Sequence, residues 1–250
     1  MSAGLSDLDV AVAVVRAAGP VLLEKHGRVE VGFKSAPTDV VTDADRAAEA
    51  AAVAVLRELR PEDGILAEEG SNAPGDRQWT VDALDGTLNY TLGIPFWCTA
   101  VSLTDARGER LASAILDPAR DELFCAARGE GAWVERGGGV RERLQVGGPD
   151  ALNAAVLATY VHPEPPPREM TQLLDATGTV RALGSGSLEL SWVAAGRLHA
   201  WAQYDALPWD WRPGALLVAE AGGTALERGR WSIAARPALA SAIADTVAPA

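Results

Sequence analysis

The chain has 250 residues, of which 48% are hydrophobic and 22% charged, and it carries a net charge of −12 at neutral pH. That is ample apolar material for a core, in one large domain or two lobes. The negative balance excludes sequence-independent binding to nucleic acid or an anionic membrane. With no secretory leader and no apolar run long enough to span a bilayer, the expectation is a soluble, cytoplasmic protein.

Ser6 is placed to cap a helix over 6–26, with apolar positions at helical spacing through Leu23. "VEVGFK" (29–34) alternates as a strand does. Thr42 caps a long helix through "TDADRAAEAAAVAVLRELRP", which stops before Pro61. "GILAEEG" (64–70) is a short apolar strand ending in two glutamates, and "WTVDALDGTLNY" (79–90) is a strand, an Asp-Gly turn and a helix start. "PFWCTAVSLT" (95–104), "LASAILDP" (111–118) and "DELFCAARGEGAWVERGGG" (121–139) read as consecutive strands, with Cys98 and Cys125 as buried free thiols.

A second part begins near 146, so the expected organisation is a lobe over 1–145 and another over 146–250 in one compact unit. "ALNAAVLATY" (151–160) includes a strand, and "HPEPPPREM" (162–170) is a Pro-rich surface loop. "VRALGSGSLELSWVAAGRLHAWAQYD" reads as strand, Gly/Ser turn, helix and strand. "PWDWRPGALLVAEAGGTALE" gives a turn, a helix ended by Gly222-Gly223, and a strand. Interleaved helices and strands with antiparallel meanders predict an α+β fold, a layered sandwich.

Four acidic features stand at predicted strand ends or helix starts: Asp45, Glu68-Glu69, Asp82 with Asp85, and Asp210. Such junctions are where distant segments converge on one cleft. Carboxylates crowded together repel unless a cation sits among them. The donors are all oxygen, without a His or Cys partner, which favours Mg²⁺, or Mn²⁺ as a substitute, over zinc. The 82–85 spacing also leaves the Leu84 carbonyl free to face the same ion. Asp45 has a second reading, as the acidic partner in a Thr42 capping box, and Asp210 as a helix cap.

The order of these motifs resembles the inositol monophosphatase family. Its pattern is an aspartate, then Glu-Glu, then Asp-Pro-(Ile/Leu)-Asp-Gly-Thr, then Trp-Asp and, eleven residues later, Gly-Gly. Here the matching residues are Asp45, Glu68-Glu69, "DALDGT" at 82–87, and Trp209-Asp210 with Gly222-Gly223 after residues 211–221. The likeness continues through "LDPARDELFCAARGEGAW" and "LGSGSLELSWVAAGRLHAW" and covers nearly the whole chain. It implies an αβαβα sandwich and a Mg²⁺-dependent phosphatase acting on a small phosphorylated metabolite, as a homodimer. By position, Glu68, Asp82, the Leu84 carbonyl, Asp85 and Asp210 would bind two or three Mg²⁺ ions. Glu68 and Thr87 would activate the attacking water, with Asp45 close by. Asp85, Gly86, Thr87, Gly184, Ser185, Gln203 and Asp210 would face the substrate, with Lys34 and Arg212 as further candidates.

Three departures from the pattern stand out. Ala83 replaces the usual proline. "WRPG" after Trp209-Asp210 puts bulky Trp211 and Arg212 beside the expected cleft, where small alanines are usual. Gln203 falls where inositol-specific members commonly have a glutamate, and an amide donates as well as accepts. The competing substrates are therefore histidinol phosphate, whose cation Asp205 would meet, and then 3′-phosphoadenosine nucleotides or fructose bisphosphate. A catalytically silent, metal-binding regulatory protein is the alternative from another class.

Overall fold

Residues 4–33, 40–137, 139–161 and 167–248 are described by a computed structural model of the chain. Ser6 caps helix α1 (Asp7–Lys25), its hydroxyl accepting from Asp9 N–H while the Asp9 carboxylate accepts from Ser6 N–H. The short hairpin β1 (Val31–Phe33) and β2 (Val40–Thr42) leads into α2 (Asp43–Leu59). Strands β3 (Gly64–Ala67) and β4 (Gln78–Asp85) follow, then the single-turn α3 (Thr87–Thr91).

An antiparallel meander comes next: β5 (Cys98–Thr104), β6 (Arg110–Asp117), β7 (Glu122–Ala127), β8 (Gly131–Arg136) and β9 (Val140–Arg143). With β3 and β4 it forms a seven-stranded sheet in chain order, in which only β3 and β4 run parallel. The rest of the chain supplies β10 (Val156–Ala158), α4 (Arg168–Ala176), β11 (Thr179–Arg181), α5 (Gly186–Ala194), β12 (Ala200–Tyr204), α6 (Pro208–Glu220), β13 (Thr224–Arg228), β14 (Trp231–Ala235) and α7 (Pro237–Val247). Its five strands form a second sheet in the order β11-β10-β12-β14-β13.

Side-chain parity assigns the layers. Along β5, Val101 and Leu103 point into a core shared with α1 and α2, while Cys98 and Ala100 point into a second core with α5 and α6. Along β12, Trp201 joins that second core, whereas Ala200 and Ala202 pack with α4 and α7 in a third. The order is therefore α1/α2, first sheet, α5/α6, second sheet, α4/α7: the expected αβαβα sandwich. The middle helices pack closely, because a Cβ on Gly214 of α6 would lie 2.2 Å from the Leu190 Cβ of α5.

Three elements depart from the sequence reading. Within "HPEPPPREM", residues 162–166 lie outside the described residues, and the segment from Arg168 is helical rather than a loop. Pro167 stands at the N-cap of α4, where its missing N–H costs nothing. Helix α7 and strand β14, which the patterning did not pick out, close the third core. Both cysteines are buried free thiols, as expected. No helix among the described residues is long and apolar enough to cross a membrane.

Candidate metal and phosphate site

Asp82 and Asp85 are three apart, which in a regular strand would send them to opposite faces. The ladder corrects this: Asp82 pairs with Ala100 and Asp85 with Cys98, so three steps on β4 match two on β5. The bulge turns both carboxylates toward the α5/α6 layer and takes Leu84 out of the pairing. The freed Leu84 carbonyl accepts from the Thr87 hydroxyl at 3.0 Å. Asp82 Oδ1 accepts from Leu84 N–H at 3.1 Å, which steadies the bulge.

Asp210 enters from the first turn of α6, behind Pro208 at the helix start. Carboxylate oxygens of Asp82, Asp85 and Asp210 lie within 4.8 Å of one another. Glu68 follows β3 directly, and its N–H donates to Val81 O at 3.2 Å, beside Asp82. Burial, first, and then the charges of Glu68, Asp85 and Asp210 push the Asp82 carboxyl well above the usual carboxylate range. Burial also raises Asp85, against the lowering effect of the Ser187 N–H that it accepts at 2.6 Å. No ion pair within the described residues neutralises Asp82 or Asp85. Buried carboxylates this close, without a counter-charge of their own, fit a hard divalent cation, and an all-oxygen donor set agrees with that.

Asp45 serves two purposes at once. One oxygen completes the capping box of α2, accepting from Thr42 N–H at 2.8 Å and from its hydroxyl at 2.6 Å. The other accepts from the Thr87 hydroxyl at 2.8 Å. The capping-box reading of Asp45 holds, its second oxygen reaches Thr87, and burial raises its pKa.

Gly86 is left-handed at φ 95°, and a Cβ there would lie 3.0 Å from Phe96 O and 3.2 Å from Gly184 O. Only glycine fits the turn from the bulge into α3. Asn89 of α3 ties the surroundings together, donating to Phe96 O at 2.8 Å and Leu183 O at 2.7 Å.

Gly184 and Ser185 stand beside Gly86, where a Cβ would lie 3.2 Å from Gly184 O and 3.2 Å from Ser185 Cβ. Ser185 is buried, with its hydroxyl 3.6 Å from Cys98 Sγ, so it belongs to the wall that holds Asp85. Gly184 packs on Asn89. Trp211 is buried and stacks on Trp201 at 5.6 Å. Arg212 donates to Gln78 and Thr80 of β4, neutral groups instead of a substrate anion or a surface acid. The reason is helical geometry: at about 100° per residue, aiming Asp210 at the cluster rotates its two successors away. Gln203 is buried on β12, on the same face as Trp201 and toward α5/α6. Lys34 lies outside the described residues.

Two acids absent from the sequence reading hold the frame. Glu189 accepts from Leu183 N–H at 2.7 Å and Trp201 Nε1–H at 3.1 Å, and burial pushes its pKa up to about 8. Glu49 accepts from Glu69 N–H at 2.7 Å and Ser71 N–H at 3.0 Å. The available signal was position: each acid sits on a helix face otherwise read as apolar.

The family described as the inositol monophosphatase family matches residues 6–244. An inositol-1-monophosphatase of Rhizobium meliloti is 38% identical over 234 residues, covering 86% of this chain and 83% of that protein. A protein named Nus factor SuhB from Pseudomonas aeruginosa is 35% identical over 236 residues, with 86% and 83% covered. Among solved structures, a Thermotoga maritima IMPase superimposes with a TM-score of 0.86 at 29% identity, covering 97% of each chain. With these matches joined to the acidic cluster, the chain belongs to the inositol monophosphatase family, a family of phosphoric monoester hydrolases.

Proposed function

We propose that the chain is a Mg²⁺-dependent phosphatase that hydrolyses a small phosphate monoester, an inositol monophosphate or a related cyclitol or sugar phosphate. The observation that carries the reading is the trio Asp82, Asp85 and Asp210, with oxygens within 4.8 Å and no counter-charge on Asp82 or Asp85 among the described residues. Glu68, Asp82, the Leu84 carbonyl, Asp85 and Asp210 would hold two or three Mg²⁺ ions, and Mn²⁺ suits the same donors. Magnesium bound there supplies positive charge for the phosphate and the leaving oxygen, and lowers the pKa of water.

The chain's own groups do the remaining work. The Thr87 hydroxyl has one proton and two acceptors within reach, Asp45 Oδ1 and Leu84 O. Thr87 can therefore accept a proton from the attacking water while passing its own to Asp45, whose raised pKa suits it to receive one. Glu68 would hold the same water. The backbone at Gly86 and Thr87 receives the phosphate; α3 is only five residues long, so local N–H groups matter more than a macrodipole. The Cys98 thiol is kept protonated by burial and the adjacent Asp85, which makes it a poor nucleophile.

Substrate choice is tested by phosphate release from inositol 1-phosphate, histidinol phosphate, fructose 1,6-bisphosphate and 3′-phosphoadenosine 5′-phosphate. Arg230 donates to both carboxylate oxygens of Asp205, so the acid that would greet histidinol's cation is already paired. The expected order puts a cyclitol or sugar phosphate above histidinol phosphate. Gln203→Glu is expected to raise kcat/KM for inositol 1-phosphate about tenfold, since a hydroxyl bonds more strongly to a charged acceptor than to an amide. Preference for histidinol phosphate would overturn the substrate reading. A regulatory role without turnover is the second reading, supported by the Nus factor name of several relatives, and magnesium binding with no release from any ester in the panel would favour it.

A further inference from the structure

We infer that Glu49 is a positioning residue for Glu68, acting through the backbone without touching the metal; this rests on the metal reading above. Glu49 lies one turn beyond Asp45 on α2 and is 4% exposed. Its two oxygens accept separate amides, Oε2 from Glu69 at 2.7 Å and Oε1 from Ser71 at 3.0 Å. The Glu68 N–H is itself held by Val81 O at 3.2 Å. Glu68 is thus pinned on one side to the strand that carries Asp82 and on the other to α2.

The same helix face grips the other half of the site, where Asp45 accepts the Thr87 hydroxyl. One turn of α2 therefore sets the distance between the Glu68 loop and the segment 82–87. This explains an otherwise costly feature, a buried carboxylate whose hydrogen bonds go to neutral amides. Two charge-assisted bonds satisfy it, and a neutral side chain cannot reproduce them. A glutamine keeps the shape but offers one oxygen, and its NH₂ would face a backbone N–H.

The test is calorimetric titration of Mg²⁺ into the metal-free full chain, comparing wild type, Glu49→Gln, Glu68→Gln and Asp85→Asn. Glu49→Gln is expected to weaken Mg²⁺ binding roughly 10- to 100-fold, the usual cost of losing an outer support of a metal ligand. Activity at saturating Mg²⁺ should recover to within a few-fold of wild type, so the defect reads in the Mg²⁺ dependence more than in kcat. A purely structural role would lower the melting temperature and leave the Mg²⁺ affinity of the folded protein unchanged, which overturns the proposal. If Glu68→Gln and Asp85→Asn also bind Mg²⁺ like wild type, the metal reading fails. If they lose binding and Glu49→Gln does not, only the Glu49 role fails. Should Glu49→Gln not fold, hydrogen exchange on the metal-free wild type decides. Protected amides at Glu69 and Ser71 support the clamp, and exchange at the rate of an open loop refutes it.

Discussion

Asp85→Asn is expected to lower phosphate release about 10³-fold or more, while the metal-free variant stays at least as stable as wild type. The loss follows from position: Asp85 is one of three carboxylates within 4.8 Å, and it is buried. Removing one full ligand charge takes away part of the binding free energy and part of the stabilisation of the leaving oxygen. A deficit of about 4 kcal/mol in the transition state corresponds to three powers of ten. Stability moves the other way because the Asp85 carboxylate is desolvated and its charge raises the proton affinity of Asp82. An amide keeps an oxygen for the Ser187 N–H and removes that repulsion. Steady-state kinetics at saturating Mg²⁺ and thermal unfolding with a chelator check both halves. Turnover within tenfold of wild type would remove Asp85 from the site.

The second large effect concerns pH. The metal-free protein is expected to lose stability as pH rises from about 5 to 8, and Mg²⁺ is expected to restore more of it at pH 8 than at pH 5.5. Asp45, Asp82, Asp85 and Glu189 all have raised pKa values, in each case chiefly through burial. A carboxyl raised in the folded state favours folding below its unfolded pKa, and that contribution disappears as pH climbs through the folded value. For Glu189 the window runs from the ordinary 4.5 to about 8. Each ~1 kcal/mol lost lowers Tm by about 2–4 °C for a chain of this size, so several degrees are expected between pH 5.5 and 8. On the proposed function, Mg²⁺ would bind the deprotonated cluster and stabilise the folded state by mass action, most where protons no longer compete. A flat Tm across this range, or a smaller Mg²⁺ effect at pH 8, would contradict the electrostatic account.

The ends of strands and the caps of helices were the most legible parts of the sequence. Ser6 and Thr42 cap α1 and α2 as their side-chain chemistry dictates, and Trp209-Asp210 starts α6 behind Pro208. The pair Asp82 and Asp85 announced itself by type and turn. The bulge that makes the pair usable was not legible, because it is a property of the β4–β5 register, not of β4 alone. Trp211 and Arg212 were misplaced for a similar reason: proximity in sequence to Asp210 says nothing of helical phase. Helix α4 was hidden by the proline run before it, and α7 by its uniformly small apolar residues, which show little contrast between faces. Glu49 had no role in the sequence reading, because only the fold brings the 69–71 amides to it.

The most direct test of the central claim is the rate of phosphate release from inositol 1-phosphate as a function of free Mg²⁺ at fixed pH. The expected result is a saturating rise from no detectable rate in chelator. Release that persists unchanged in chelator would contradict it, because the carboxylate cluster would then have no part in the chemistry.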